Sequence, residues 1–120
     1  MVDNGLKNYL HVEKPWGSFD QYTLNEATTV KILTIKTGQR LSLQSHTQRT
    51  ELWIALDVGL VVMVNDQEIK LQVGEKIFIP VGSSHRATFL GQGQGRILEI
   101  SFGHFDEMDI TRYQDDYQRN

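Results

Sequence analysis

The 120-residue sequence contains no cysteine. A disulfide framework, a thiolate metal site and a cysteine nucleophile are therefore all excluded. A metal ion bound by this chain must be held by nitrogen and oxygen donors, as in the many metal sites built from histidine, carboxylate and amide side chains.

Long apolar runs and clusters of positive charge are also missing. No segment approaches the roughly 18 consecutive apolar residues that predict a membrane span. The 12 Lys and Arg residues are outnumbered by 15 Asp and Glu residues, and no basic run would follow a phosphate backbone. The first residues, Met1 to Leu6, lack the charged and apolar regions of a signal peptide. We expect no membrane and no nucleic acid as partner, and a cytoplasmic location.

Helical periodicity is scarce, and proline occurs only twice. Short runs rich in β-branched and aromatic residues recur about every ten residues, with Gly, Pro, Asn and Asp between them. This pattern predicts an all-β sandwich or barrel with a single domain over residues 13–120, preceded by an N-terminal arm at residues 1–12. Residues 106–117 fit either a short helix or a packed tail.

One predicted strand has an unusual polar face. Gln44 and His46 lie two residues apart, so a strand would point both side chains to the same side, which is either the interior of a barrel or a solvated surface. Taken alone, the pair favours the solvated surface, because an isolated histidine in a polar strand is usually exposed.

Two further residues turn this pair into a candidate metal site. Glu51 stands at the start of an apolar strand, and His85 follows the turn at Pro80 to Gly82. Two imidazoles, one carboxylate and one amide oxygen suit a divalent ion, with zinc expected first and manganese, iron, cobalt or nickel as alternatives. Such a set leaves coordination positions open for water or substrate.

The spacing of these residues resembles the two sequence motifs of the cupin superfamily. The first motif is formed by Gly38, Gln44, His46 and Glu51. The second is formed by Gly74, Pro80, Gly82 and His85. Cupins usually carry histidine where this chain has Gln44, whereas Gln-x-His is typical of metal-dependent mannose-6-phosphate isomerases.

The similarity is closest to the cupin domain of type II mannose-6-phosphate isomerases, which many bacteria fuse behind a mannose-1-phosphate guanylyltransferase. It extends over residues 13–119 and includes, near the end, Asp109, Ile110 and Arg112. The resemblance implies a double-stranded β-helix, or jelly roll, with Gln44, His46, Glu51 and His85 as metal ligands. It also implies isomerisation of mannose 6-phosphate to fructose 6-phosphate through an enediol, and a homodimer.

Two positions depart from the cupin pattern. Gly59 comes one residue later than the corresponding glycine, which predicts a shifted or bulged hairpin. Phe89 replaces an asparagine that normally ends the second motif, which predicts an altered pocket rim.

An isomerase of this kind needs an anchor for the phosphate and a base. Arg49 and Arg86 flank metal ligands and are the predicted catalytic residues, with Arg40 as a further candidate for the phosphate. The base stays open among four side chains, which are Glu99, Lys36, Lys76 and His104.

Other assignments remain possible for the same residues. Trp16 and Trp53 would either stack on a sugar or belong to the core, and core is the more common place for aromatic residues in strands. A non-catalytic cupin that binds a sugar or another small ligand is the main alternative function. An iron oxygenase is a third, although such enzymes tend to have more imidazole around the metal.

Overall fold

A computed structural model of the protein describes residues 6–119, and these residues form eleven strands and no helix. The first six strands are β1 Leu10–Lys14, β2 Gly17–Gln21, β3 Thr28–Lys36, β4 Leu43–Ser45, β5 Arg49–Ala55 and β6 Leu60–Val64. The last five are β7 Gln67–Leu71, β8 Lys76–Ile79, β9 His85–Phe89, β10 Gln94–Gly103 and β11 Thr111–Gln114. No helix of the described residues is long and apolar enough to cross a membrane.

The strands form two antiparallel sheets and a separate hairpin. One sheet has the order β3-β10-β5-β8, the other has the order β11-β4-β9-β6-β7, and β1 pairs with β2. Apolar side chains from both sheets form one cluster, so the main core lies between them; its largest members are Trp53 and Phe89. The all-β prediction is confirmed, and this arrangement of two facing sheets is the cupin fold.

The register of each sheet places particular side chains side by side. Lys31, Glu99 and Trp53 are directly opposite one another across β3, β10 and β5. In the other sheet, Gln44 of β4 is opposite both His85 of β9 and Arg112 of β11. Since directly opposed residues point to the same face of a sheet, each set forms one row, and both rows border the same cavity between the sheets.

The N-terminal region is attached to the outer face of the four-stranded sheet. Leu6 is buried in a second apolar cluster with Leu52, Ile54 and Ile100. Strand β1 continues to Lys14 and so crosses the predicted boundary between residues 12 and 13. Residues 1–5 of the predicted arm lie outside the described residues.

The two positions that depart from the cupin pattern, Gly59 and Phe89, both contribute to the packing of the protein and not to the cavity. Phe89 is 1% exposed in the main core and is absent from the lining of the cavity, so the predicted change at the pocket rim is wrong. Gly59 precedes β6 with a φ of 106°, and a Cβ atom there would lie 2.7 Å from the backbone of Gly91. The late glycine therefore permits a close approach of two loops.

Residues 106–117 form a packed tail that contains β11. The carboxylate of Asp109 accepts hydrogen bonds from the backbone amides of Thr47 and Gln48 and from the Thr47 hydroxyl. These bonds fix the tail against the loop that follows β4. The tail thereby closes one side of the cavity, which is partly lined by Ile110 and Arg112.

Candidate metal centre

Three predicted ligands come together in the interior. One donor atom from each of His46, Glu51 and His85 lies within 4.8 Å of the other two. The Nε2 atom of His46 is 3.6 Å from Glu51 Oε2, and the Nε2 atom of His85 is 3.6 Å from Glu51 Oε1. None of the three residues is more than 4% exposed, so the solvated-surface interpretation of His46 is excluded.

The two sequence motifs meet through the backbone. The turn at Pro80 to Gly82 brings the amide of Gly82 to the carbonyl oxygen of His46, to which it donates at 2.8 Å. Gly82 has a φ of 81°, a left-handed conformation that glycine adopts without strain. The turn thus sets the start of β9, and with it His85, beside the loop that carries His46.

Hydrogen bonds to backbone carbonyls orient both imidazoles. The Nδ1 atom of His46 is 2.8 Å from the carbonyl oxygen of Asp109, and that of His85 is 3.0 Å from the carbonyl oxygen of Ser83. A carbonyl oxygen only accepts, so each Nδ1 carries the hydrogen and each neutral ring has its lone pair on Nε2. Both lone pairs belong to the nitrogen that is near Glu51.

The charge state of the histidines favours metal binding. Burial lowers the pKa of His85 to about 4, and burial also lowers the pKa of His46. Both rings are therefore neutral at pH 7, which is the form that coordinates a metal.

The buried atoms around Glu51 fit a cation. Glu51 Oε1 and His85 Nε2 are both fully buried and have no hydrogen-bond partner among the described residues. Each is an acceptor, and unpartnered buried acceptors are costly, so two that face each other at 3.6 Å call for a positive charge between them. The donor set of two imidazoles and a carboxylate is one that zinc and related divalent ions use.

Gln44 lines the same cavity as the three clustered residues. Its position directly opposite His85 in the register places it on the ligand-bearing face. Its amide nitrogen is 3.5 Å from the carbonyl oxygen of Ser42, which is a weak contact at most. The role of Gln44 as a fourth ligand stays a prediction.

Arg49 is part of the cluster itself. Its Nε atom donates to Glu51 Oε2 at 3.0 Å, and its Nη2 atom lies 3.3 Å from His46 Nε2. The guanidinium also lies 4.3 Å from the ring centre of Phe105. Arg49 thus binds Oε2 of Glu51, while Oε1 has no hydrogen bond among the described residues.

Arg86 lies away from the cavity. It follows His85 in β9 and therefore points to the other face of the sheet, where Nε donates to the carbonyl of Leu41 and Nη1 donates to Gln114. It is not among the residues that line the cavity. Of the two predicted catalytic arginines, the structure thus brings only Arg49 to the candidate metal centre.

Among the four candidate bases, Glu99 lines the cavity and the other three do not. Its carboxylate accepts a hydrogen bond of 3.0 Å from the indole nitrogen of Trp53. Burial and the negative charge of Glu51 raise the pKa of Glu99 to about 7. Such a carboxyl group exchanges its proton near neutral pH, as a general acid or base requires.

The two tryptophans have different surroundings. Trp53 belongs to the main core, lines the cavity and meets the edge of the His85 ring at a centroid distance of 5.4 Å. Trp16 is 73% exposed at the hairpin turn between β1 and β2. Trp53 is therefore a core residue, and its indole N–H group also donates a hydrogen bond to Glu99 in the cavity.

The cavity measures about 230 Å³ and contains cationic residues that the sequence motifs leave without a role. These are Lys31, Arg112 and Arg119. Lys31 lies on the same face of β3 as Leu33 and Ile35, which point inward. A charged residue on this otherwise apolar face could have identified Lys31 from the sequence as a cavity residue. Arg112 belongs to the family resemblance, which gives it no function, and the position of Arg119 depends on the tertiary structure.

Comparison with known proteins gives the following relatives. A family model described as "Mannose-6-phosphate isomerase C-terminal" matches residues 2–115. The alginate biosynthesis protein AlgA of Pseudomonas aeruginosa is 36% identical over 94% of this chain and 24% of its own length. The mannose-1-phosphate guanylyltransferase ManC of Salmonella typhimurium is 32% identical over 98% of this chain and 25% of its own length. The chain thus spans about a quarter of these curated relatives.

Solved structures support the fold. The capsular polysaccharide assembling protein CapF of Staphylococcus aureus matches with a TM-score of 0.64 and 20% identity, over 88% of this chain and 34% of that chain. A predicted oxalate decarboxylase of Thermotoga maritima matches with a TM-score of 0.61 and 17% identity, over 80% of this chain and 92% of that chain. At this level of identity, the likeness concerns the architecture alone.

Proposed function

The chain belongs to the mannose-6-phosphate isomerase C-terminal family, and from that premise we propose that it is a metal-dependent sugar-phosphate isomerase. Its proposed reaction is the interconversion of mannose 6-phosphate and fructose 6-phosphate. The observation that carries the proposal is the buried cluster of His46, Glu51 and His85, in which Glu51 Oε1 and His85 Nε2 have no hydrogen-bond partner among the described residues. The same cavity also contains Glu99 and several cationic side chains.

The reaction requires a proton to move between C2 and C1 of an open-chain sugar by way of an enediol. Bound by His46, Glu51 and His85, with Gln44 as a further predicted ligand, zinc or another divalent ion would act as a Lewis acid toward the carbonyl and hydroxyl oxygens. The burial of the three side chains lowers the local dielectric constant and so strengthens each electrostatic interaction within the cluster.

Glu99 is the residue of this chain that we assign to the proton. Its carboxylate takes the proton from C2 of the aldose and returns it to C1, while the hydroxyl proton on O2 passes to O1, so that no net proton is gained or lost. Trp53 donates to this carboxylate and holds it in one orientation. Burial raises the pKa of this carboxyl group, which favours its uptake of a proton in the first half of the transfer.

The proposal is tested with protein loaded in turn with zinc, manganese, cobalt, nickel and iron(II). Mannose 6-phosphate is supplied, and fructose 6-phosphate is measured in a coupled assay. Wild-type protein and a His104→Ala variant, which changes an exposed histidine, are expected to turn over at the same rate. A His85→Ala variant is expected to lose metal and activity. Equal product formation by His85→Ala and wild type, or none by wild type with any metal, contradicts the proposal.

A second candidate is a non-catalytic cupin that binds a sugar phosphate. It is favoured by Arg49, whose guanidinium satisfies one oxygen of Glu51 and contacts His46 without any metal. In that case mannose 6-phosphate would raise the melting temperature of the protein, and no fructose 6-phosphate would form.

A further inference from the structure

The cationic residues of the cavity differ in what their charge already binds. Arg49 donates to Glu51 at 3.0 Å, Lys31 donates to Glu107 at 3.2 Å, and Arg119 donates to Asp115 at 2.9 Å. Arg112 has no side-chain hydrogen bond or ion pair among the described residues, and its Nε atom is fully buried. It is therefore the one guanidinium of the cavity lining whose charge has no partner within residues 6–119.

Strand pairing directs Arg112 inward. It is directly opposite Gln44, which in turn is directly opposite His85, so the three side chains share the inner face of the sheet. The register of β11 shifts between Arg112 and Gln114, which places the extra residue, Tyr113, at a bulge. The hydroxyl of Tyr113 is 2.8 Å from the hydroxyl of Ser45 on the neighbouring strand, and this contact fixes the bulge.

We propose that Arg112 anchors the phosphate group of the substrate. A planar guanidinium donates two parallel hydrogen bonds to a phosphate and keeps its charge at any physiological pH. A buried donor with no partner is costly, and a phosphate oxygen would satisfy it. This inference rests on the proposed sugar-phosphate substrate, and it assigns the phosphate to a residue other than Arg40, Arg49 or Arg86.

The three other arginines are less suited to this role. Arg49 is committed to Glu51, and Arg86 lies outside the cavity lining. Arg40 is bound to Asp116 through two hydrogen bonds and also lies outside it. Each would have to break existing bonds or move before it could reach a substrate in the cavity.

The spacing of the row matches the two ends of a sugar phosphate. Arg112 and His85 are separated by β4, which corresponds to about 10 Å between their backbones at the usual distance between neighbouring strands. In a hexose 6-phosphate the phosphate on C6 lies at the opposite end from C1 and C2. Binding the phosphate at Arg112 would therefore direct C1 and C2 toward His85 and the rest of the metal cluster.

The test measures binding without turnover. Metal-free protein is titrated in a calorimeter with mannose 6-phosphate, inorganic phosphate and mannose, using wild type and the variants Arg112→Gln, Arg112→Lys and Arg40→Gln. Arg40→Gln is the control, because it makes the same chemical change at an arginine outside the cavity. We expect Arg112→Gln to weaken both phosphate compounds by at least about tenfold, Arg112→Lys to weaken them less, and Arg40→Gln to match wild type. Mannose is expected to bind equally to wild type and every variant.

These binding measurements test the phosphate assignment of Arg112 independently of the isomerase assay. Equal affinity of Arg112→Gln, Arg112→Lys and wild type for mannose 6-phosphate overturns the assignment, whatever the isomerase assay shows. Arg112-dependent binding of phosphate without isomerase activity supports the assignment and contradicts the proposed reaction. A thermal melt of each variant identifies loss of folding, and if Arg112→Gln fails to fold, Arg112→Lys alone decides, because it retains the charge but not the paired donors.

Discussion

At the scale of single residues, the site is marked by two buried acceptor atoms that have no hydrogen bond within residues 6–119. The lone pairs of His85 Nε2 and Glu51 Oε1 face each other, whereas Glu51 Oε2 is held by Arg49. Glu99, one strand away, is kept from full ionisation by burial and by the charge of Glu51. The same carboxylate of Glu51 therefore serves as a candidate ligand and tunes the candidate base.

If Glu99 is the base, turnover should fall when its carboxyl group is replaced by a group that cannot accept a proton. A Glu99→Gln variant keeps an oxygen that can accept from Trp53 but cannot take up the proton. We expect kcat to fall by about 10² to 10⁴, with bound metal unchanged. Steady-state kinetics and metal analysis measure the two quantities. The matched control is Glu107→Gln, which alters an exposed carboxylate at the same cavity and should retain most of the activity.

At the scale of elements, short connections do most of the positioning. The turn before β9 binds the backbone of His46, the loop before β6 packs against Gly91, and the tail before β11 binds the loop after β4. None of these connections is long, and each brings a strand end to a defined place. The positions of His46 and His85 therefore depend on backbone contacts made by a few loop residues.

Replacement of Gly59 tests the close approach of two loops. An alanine Cβ at this position would lie 2.7 Å from the Gly91 backbone, in a conformation with φ of 106°. Gly74 has a φ of 85° and nothing within 4 Å of its Cβ position, so Gly74→Ala carries the conformational strain alone. We expect both variants to lower the free energy of unfolding, Gly74→Ala by about 1 kcal/mol and Gly59→Ala by clearly more. Urea unfolding measures both, and equal losses would contradict the steric argument.

The tail predicts an indirect effect on metal binding. Asp109 ties the loop after β4 through its carboxylate, and its carbonyl oxygen orients His46. An Asp109→Asn variant weakens the carboxylate bonds and loosens His46, so metal affinity should fall by about 10-fold. Competition with a chelator measures that affinity. Asp57→Asn also removes a carboxylate that binds a backbone amide, but at Arg96, and should leave metal affinity unchanged.

At the scale of the whole molecule, folding stability is linked to pH through the buried histidines. Their pKa values are lowered in the folded state, so the unfolded chain binds protons more readily as pH falls below the ordinary histidine pKa of 6.5. The contribution of neutral, buried His85 is fully present above pH 6.5 and is lost as pH falls toward about 4. The sign is opposite to that of a histidine that gains an acidic partner.

The contribution of His85 should therefore weaken on mild acidification of the metal-free protein, whereas the raised pKa of Glu99 acts in the opposite direction, because the folded protein holds that proton more tightly. From His85 alone, we expect the free energy of unfolding to fall by about 2 kcal/mol between pH 6.5 and pH 5. Urea unfolding with a chelator at a series of pH values measures this slope. A His85→Gln variant should show a smaller slope, while His104→Gln should keep the slope of wild type. The same pH dependence for wild type and His85→Gln would contradict the prediction, because the difference between the two curves isolates His85 from the opposite contribution of Glu99.

The sequence predicted the parts of the site that local spacing encodes. The distances along the chain from His46 to Glu51 and from Pro80 to His85 correspond to one loop and one turn, and it is their resemblance to the two cupin motifs that singles these residues out as predicted ligands. Arg112 and Lys31 come from opposite sheets, and their approach to the cavity depends on pairings between strands that are distant in sequence. The prediction for Phe89 failed because the motif comparison shows which residue is replaced but not how far it lies from the site: Phe89 shares the inner face of β9 with His85 but stands at the other end of the strand, in the main core.

The positions of the ligands on the two sheets have one more consequence. Glu51 lies on the four-stranded sheet, whereas His85 belongs to the five-stranded sheet and His46 directly follows its strand β4. A metal held by all three would join the two layers as a cross-link and would stabilise the folded state by mass action. Loss of a ligand would then impair folding as well as chemistry. Selection for a stable folded protein would then preserve these three residues whether or not the chain catalyses a reaction.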